Sequence, residues 1–309
     1  MKKYVIALGG NAITGNSYEQ QIESVYKTLN NLIGLMVNAE NKIAITYGNG
    51  PQVGNILIQN SAAKLLTPEQ PMHSCVAQSQ GLLGCMIQTA LYNLLLKNGI
   101  QRDILGTITF VEVNSNDPAF GNPTKPVGPF YGKLEIRELL CQNNSGSFKK
   151  ITDKTWRRVV PSPEPLRIIN SEAIKNIFES GNIPIVCGGG GVPVINNNGE
   201  LKGVNAVIDK DKASALLAGS LDADMLIILT NESQIALNYK KHNEKRLTCM
   251  TVADAKKYLN EGHFAEGSMK PKVEAAICFI ANSANRKTLI TDYSHLVDAL
   301  QGENGTWIF

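Results

Sequence analysis

The stretch that decides the fold runs from Tyr4 to Gly54. It contains YVIAL (4–8), the pair Gly9-Gly10 with Asn11, an amphipathic tract from Ile22 to Met36, KIAITY (42–47) and GNGPQVG (48–54). Each apolar run is short and stops on glycine, as a strand buried in a parallel sheet does when it feeds a loop. Between the runs, Ile22, Val25, Tyr26, Leu29, Leu32, Ile33 and Met36 recur at steps of three and four, which predicts one long helix. Strand, helix and strand in this order form a βαβ unit, which favours a parallel sheet with helices on both faces.

Outward from this unit the alternation continues. Helices are expected at Val53 to Lys64 and Val76 to Lys97, and one strand from Ile104 to Val113. From Asn114 to about Pro165 prolines, glycines and a polar run at 143–147 replace the periodicity, which marks an inserted flap. Alternation then resumes with a helix near Ser171 to Ser180, the strand IPIVC (183–187), the glycine loop 188–191 and a hairpin through Asn196 to Gly199. A helix near Asp211 to Ser220 leads to the strand MLIILT (225–230), and GHFAEGSMKPK (262–272) opens a further helix. A strand at Thr288 to Thr291, a short helix and an edge strand close the chain.

The composition narrows the function. Of 309 residues 43% are apolar and 18% charged, the balance of a globular protein. A formal charge of +3 is too small for a general nucleic-acid footprint, and the two tryptophans do not interleave with a basic patch. Lys2 and Lys3 before an apolar run imitate a secretory leader, but the run from Tyr4 to Leu8 is too short for one, and no later stretch is long enough to span a bilayer. The six cysteines are scattered without a CxxC pair, the pattern of reduced thiols in a cytoplasmic protein. The four histidines show neither triad nor metal spacing.

Three glycine loops, Gly9-Gly10-Asn11, Gly48-Asn49-Gly50 and Gly188 to Gly191, each follow an expected strand. Taken singly, each reads equally well as a tight turn. Together on one sheet edge they make a cradle in which backbone N–H groups approach a phosphate. There is no GxxxxGK[ST] motif, and GNGPQVG is spaced GxGxxxG, which disfavours a P-loop protein and a dinucleotide dehydrogenase. Phosphoryl transfer needs cations around the moving group. Lys125, Lys210 and Lys272 stand beside prolines, aspartates or a helix start, where a side chain is fixed. Asp209 and Asp211 flank Lys210; they can orient lysines and help place magnesium, or act as ordinary helix N-caps.

Read together, ALGGNA (7–12), YGNGPQVG (47–54), NPTKPVGPF (122–130), WRRVVPSP (156–163), CGGGGVPV (187–194), AVIDKD (206–211) and GHFAEGSMKPKVEAA (262–276) resemble the carbamate kinases of the amino acid kinase family. The resemblance covers the whole chain in order. It implies an α/β fold: a three-layer αβα sandwich with a mainly parallel central sheet, forming a single domain over 1–309. A small protruding flap subdomain is implied near 115–160, with carbamate or carbamoyl phosphate in the N-terminal half and the nucleotide lobe at about 205–309. It also implies a cytoplasmic homodimer, ATP or ADP as a substrate, and Mg²⁺ held mainly by the nucleotide phosphates, with no dedicated protein ligands. The implied reaction is ATP + carbamate ⇌ ADP + carbamoyl phosphate, often run toward ATP in arginine breakdown.

Position by position, Gly9, Gly10, Asn11, Gly48, Asn49, Gly50, Gly189 and Gly190 match the phosphate and substrate cradle. Lys210 and Lys272 match the charge-neutralising lysines, Asp211 the carboxylate that organises them, and Lys125 the flap lysine that reaches the site. Asp209, Thr230, Asn238, Tyr239 and Met269 match segments near the nucleotide. The chain departs from the pattern at 151–155, where two glycines are lost and Lys154 replaces an arginine. It departs again at Glu232, where the position is usually apolar, and at Cys85, where an aromatic is common. These departures bear on substrate affinity and loop closure. Another acid kinase of the superfamily, or a weakened nucleotide-binding paralogue, is the alternative reading.

Overall fold

The computed structural model describes residues 1–15, 17–141, 146–281, 283 and 285–309, and their side chains except those of Asn11 and Leu140. Most of the polar run at 143–147 thus lies outside the described residues.

In the N-terminal half, β1 (Lys3–Leu8) leads through α1 (Tyr18–Asn30) and α2 (Ile33–Val37) to β2 (Lys42–Tyr47). Next come α3 (Gln52–Ala63), α4 (Met72–Lys97), β3 (Ile104–Gly106) and β4 (Phe110–Val113). β5 (Lys125–Tyr131), α5 (Lys133–Cys141), β6 (Ser147–Lys150) and β7 (Trp156–Val160) follow, then β8 (Pro165–Ile168), α6 (Ser171–Glu179) and β9 (Ile183–Ile185). The rest comprises β10 (Val192–Asn197), β11 (Glu200–Gly203), α7 (Lys210–Ser220), β12 (Met225–Thr230), β13 (Ile235–Leu237), β14 (Lys245–Leu247) and β15 (Cys249–Met250). It ends with α8 (Val252–Asn260), α9 (Met269–Ile280), β16 (Lys287–Asp292), α10 (Leu296–Leu300) and β17 (Thr306–Ile308).

The central sheet has the order β15-β17-β16-β12-β1-β2-β9-β3 and is parallel except where β17 runs against β16. Alternation along β1 assigns its side chains to two cores. Val5 and Ala7 face α7 and α9, whereas Tyr4, Ile6 and Leu8 face α1 and α4. Helices on both faces of one sheet make the three layers expected. Burying one such Ile or Leu side chain contributes about 1.5–3 kcal/mol, so the layers are held chiefly by these contacts. A second sheet, β11-β10-β4-β8, flanks the first, and β5-β7-β6 form a separate antiparallel sheet beside α5.

Three expectations are corrected. The tract from Ile22 to Met36 is two helices, broken at Asn31, whose side chain donates to the Tyr293 carbonyl at 2.8 Å. Both helices bury residues in the same core, so periodicity does not register the break. The run Ile104 to Val113 is two strands in different sheets. Buried Gln80 accepts from the Thr109 N–H at 2.8 Å, and Gln88 accepts from Gly106 N–H at 2.9 Å, which draws the intervening backbone toward α4. The C-terminal strand β17 is internal; the two-residue β15 forms the edge.

Candidate active site

β1, β2 and β12 are parallel neighbours, so their C-terminal ends present loops on one edge of the sheet. The first two loops touch. A Cβ on Gly10 would stand 3.5 Å from the Gly50 Cα, and one on Gly48 would stand 3.0 Å from Cδ of Lys210 and 3.4 Å from the Gly10 nitrogen. Gly48 is thus where the Lys210 stem crosses the loop. At Gly9 a Cβ would lie 2.7 Å from the Tyr293 hydroxyl, which itself donates to the Gly9 carbonyl at 3.2 Å.

Opposite these loops begins α7. Asp209 caps it, accepting from the Asp211 N–H at 2.9 Å through Oδ1, while Oδ2 accepts from Lys125 Nζ at 2.6 Å. The cap and ion-pair readings of Asp209 are therefore both realised. Asp211 is 3% exposed and joins two lysines: Oδ1 accepts from Lys210 Nζ at 2.7 Å and Oδ2 from Lys272 Nζ at 2.9 Å. Lys272 is placed by α9, which packs along α7. Burial alone would raise the Asp211 carboxyl, but the two ammonium groups reverse this and hold it below the usual carboxylate range. Burial pushes Lys210 down from the usual lysine value; Asp211 opposes this and the Lys272 charge adds to it.

Two cavities meet at this cluster. One of about 360 Å³ is lined by Gly9, Gly10, Lys210, Thr230, Tyr239, Met269 and Lys272 among others. The second, about 580 Å³, is lined by Gly10, Gly48, Asn49, Gly50, Lys125, Gly189 and Lys210, with Arg157 of β7. Gly10, Lys210 and Gly267 line both. A group at the shared wall would lie against the Gly10 backbone and the Lys210 ammonium, an arrangement able to stabilise a phosphoryl group passing between cavities.

The remaining candidates fall elsewhere. Asp209 and Asp211 stand behind the lysines rather than on a cavity wall, and Asn238 sits in the β13–β14 hairpin with its side chain 3.5 Å from the Asn243 carbonyl. Gly190 also lies off both walls; its φ is +93°, and a Cβ there would come 2.3 Å from the Ile208 carbonyl. Backbone packing against Tyr47, Asn49, Ile208 and Val111 accounts for glycine throughout 188–191. The Asn11 side chain lies outside the described residues.

Sequence reasoning did not single out Arg157 or Tyr293. Alternation along β7 was the available signal for the first, since it separates Arg157 from Arg158, which lines a different cavity beside Tyr131 and Phe148. Tyr293 directly follows a strand of the same sheet edge. The atypical 151–155 segment is a tight turn between β6 and β7, closed by Ile151 N–H to the Thr155 carbonyl at 2.9 Å, and it lines neither cavity. Glu232 lines the smaller cavity and accepts from the Tyr239 hydroxyl at 2.5 Å. Cys85 is exposed in a separate cleft beside Tyr92 and Ile108.

A mainly parallel α/β fold with a lysine–aspartate–lysine cluster between two cavities has counterparts among known proteins. Residues 2–292 match the amino acid kinase family, and the chain belongs to that family. It is 44% identical to the carbamate kinase of Thermococcus kodakarensis, covering 100% of this chain and 99% of that one. It is equally identical to the carbamate kinase-like protein YqeA of Escherichia coli, over 99% of both. The carbamate kinase from Giardia lamblia bound to AMP-PNP superposes with a TM-score of 0.92 at 40% identity, covering 100% of this chain and 98% of that one.

Proposed function

We propose that this chain is a carbamate kinase, a phosphotransferase interconverting ATP and carbamate with ADP and carbamoyl phosphate. The observation that carries the reading is the pair of cavities sharing Gly10 and Lys210, with the Lys210–Asp211–Lys272 cluster at the junction. The smaller cavity takes the nucleotide, along Thr230, Tyr239 and Met269. The larger takes carbamate or carbamoyl phosphate, beneath the flap lysine Lys125. The phosphoryl group moves between them past the loops at Gly9–Asn11 and Gly48–Gly50.

In this mechanism Asp211 remains ionised and fixes both ammonium groups, so their positions are set before substrate arrives. Lys210 faces both cavities and follows the charge as it passes from one oxygen to the other; Lys272 faces the nucleotide side. The cluster suits magnesium that enters on nucleotide phosphates. Both nearby carboxylates, Asp209 and Asp211, already hold lysines. Bound there, the ion would neutralise phosphate oxygens.

The reading includes a cytoplasmic homodimer serving arginine or related carbamoyl-compound breakdown. Exposed Tyr92, Leu96, Leu105 and Ile108 on the α4–β3 face offer an apolar surface for the second copy, and no described helix is long and apolar enough to cross a membrane. The test is an acceptor panel with ATP and Mg²⁺, comparing carbamate, acetate and amino-acid carboxylates. Turnover confined to carbamate supports the reading; a preference for an amino-acid carboxylate overturns it.

A further inference from the structure

The cavity assigned to the acid is lined by three cations, Lys125, Lys210 and Arg157, and by no aspartate or glutamate among its described lining residues. Two of these cations are already in ion pairs, Lys125 with Asp209 and Lys210 with Asp211, a carboxylate it shares with Lys272. Arg157 has no carboxylate within 4.0 Å among the described residues. Its contacts are a 2.8 Å hydrogen bond from Nη2 to the Gly128 carbonyl and a stacking position 5.2 Å above the Phe130 ring. Its Nε is buried and has no hydrogen-bond partner. A buried donor without an acceptor costs about 1–3 kcal/mol, so such groups call for an explanation. Stacking on Phe130 explains where the guanidinium rests. It leaves both the orphaned N–H and the unmatched charge unexplained.

A bound anion resolves both. We propose that Arg157 binds the acid substrate, donating from Nε to the carbamoyl oxygen that is not bonded to phosphorus. The inference rests on the carbamate kinase reading. Arg157 lines the acid cavity alone, whereas Gly10 and Lys210 line both, so the phosphoryl end belongs at the shared wall and the carbamoyl end at Arg157. Residence on β7 places this contact on the antiparallel sheet that also carries Lys125. One strand pair therefore supplies two cations, Lys125 and Arg157, to the acid cavity.

The test measures KM for carbamoyl phosphate and for ADP, with kcat and Tm, in the wild type, Arg157→Met and Arg157→Lys. Methionine keeps an apolar stem against Phe130 without a donor, and lysine keeps the charge without the fork. A charge-assisted hydrogen bond is worth roughly a 10- to 100-fold rise in the carbamoyl phosphate KM for Arg157→Met. The ADP KM should stay within about twofold, and Arg157→Lys should fall between. An unchanged carbamoyl phosphate KM in Arg157→Met overturns the proposal. So does a parallel rise in both KM values, which a disturbed flap would give. If Arg157→Met unfolds, Arg157→Lys decides by the same split. A folded wild type that ignores carbamoyl phosphate but uses another acyl phosphate defeats the carbamate reading instead, and the split is then read on that acyl phosphate.

Discussion

Replacing Asp211 with asparagine removes one charge and leaves the shape of the side chain. The effect should be large because two lysines depend on that carboxylate, at 2.7 and 2.9 Å, and it is nearly sealed from water. Each bond to a charged group contributes about 1.5–3 kcal/mol, and asparagine turns an amide N–H₂ toward one ammonium. A single pre-set donor to a transition state is worth about 10²–10³ in kcat. With Lys210 and Lys272 both released, kcat should fall about 10³-fold, equivalent to about 4 kcal/mol. A shift in pH dependence should accompany the loss. Lys210 is already pushed down by burial, with Asp211 opposing that effect. Without Asp211 its pKa drops further, so the alkaline limb of kcat moves to lower pH, since the protonated ammonium is the working form. The assay is coupled ATP formation from ADP and carbamoyl phosphate across pH, on protein shown to be folded by circular dichroism. A kcat within tenfold of wild type, with an unmoved alkaline limb, would refute the reasoning.

Three further predictions follow from other parts of the molecule. Lys272→Ala should lower kcat by on the order of 100-fold or more, because one charge-stabilising donor is lost; near-normal turnover removes Lys272 from the site. Gly190→Ala should lower stability by about 3 kcal/mol or more in denaturant titrations, because its Cβ would meet the Ile208 carbonyl at 2.3 Å in a left-handed backbone; a wild-type midpoint contradicts this. Glu179→Gln should lower Tm at neutral pH by roughly 2 °C, since its bonds to Lys3 and Lys42 are partly exposed. Lys3, then Lys42, holds the Glu179 carboxyl down at about 2, against an ordinary value of 4.5. The stabilisation is therefore complete above 4.5 and fades as pH falls toward 2, so the two Tm curves should converge across that window.

Strand ends carried most of what was legible beforehand. Leu8, Tyr47 and Thr230 end parallel strands on one edge, so the loops beyond them converge wherever such a sheet forms. Lys210 and Lys272 could be singled out because helix starts fix them, but the bond that brings Lys272 to Asp211 spans 61 residues and needs the packing of α7 against α9. The split of Ile104 to Val113 was invisible for a related reason: the groups that draw its middle out of the strand are glutamines on α4. Glycine was ambiguous throughout. Gly48 yields space to a functional lysine, whereas Gly190 yields it to a backbone carbonyl, and composition does not separate these cases. The departure at 151–155 stands out in sequence yet forms a turn away from both cavities, while Arg157, two residues beyond it, lines one.

The most direct measurement is ATP formation by the purified wild-type chain from ADP, Mg²⁺ and carbamoyl phosphate, followed with a hexokinase-coupled readout. Sustained turnover that requires all three components is expected, slowed about 10³-fold in Asp211→Asn. Folded protein that binds ADP yet forms no ATP above the uncatalysed rate would contradict it.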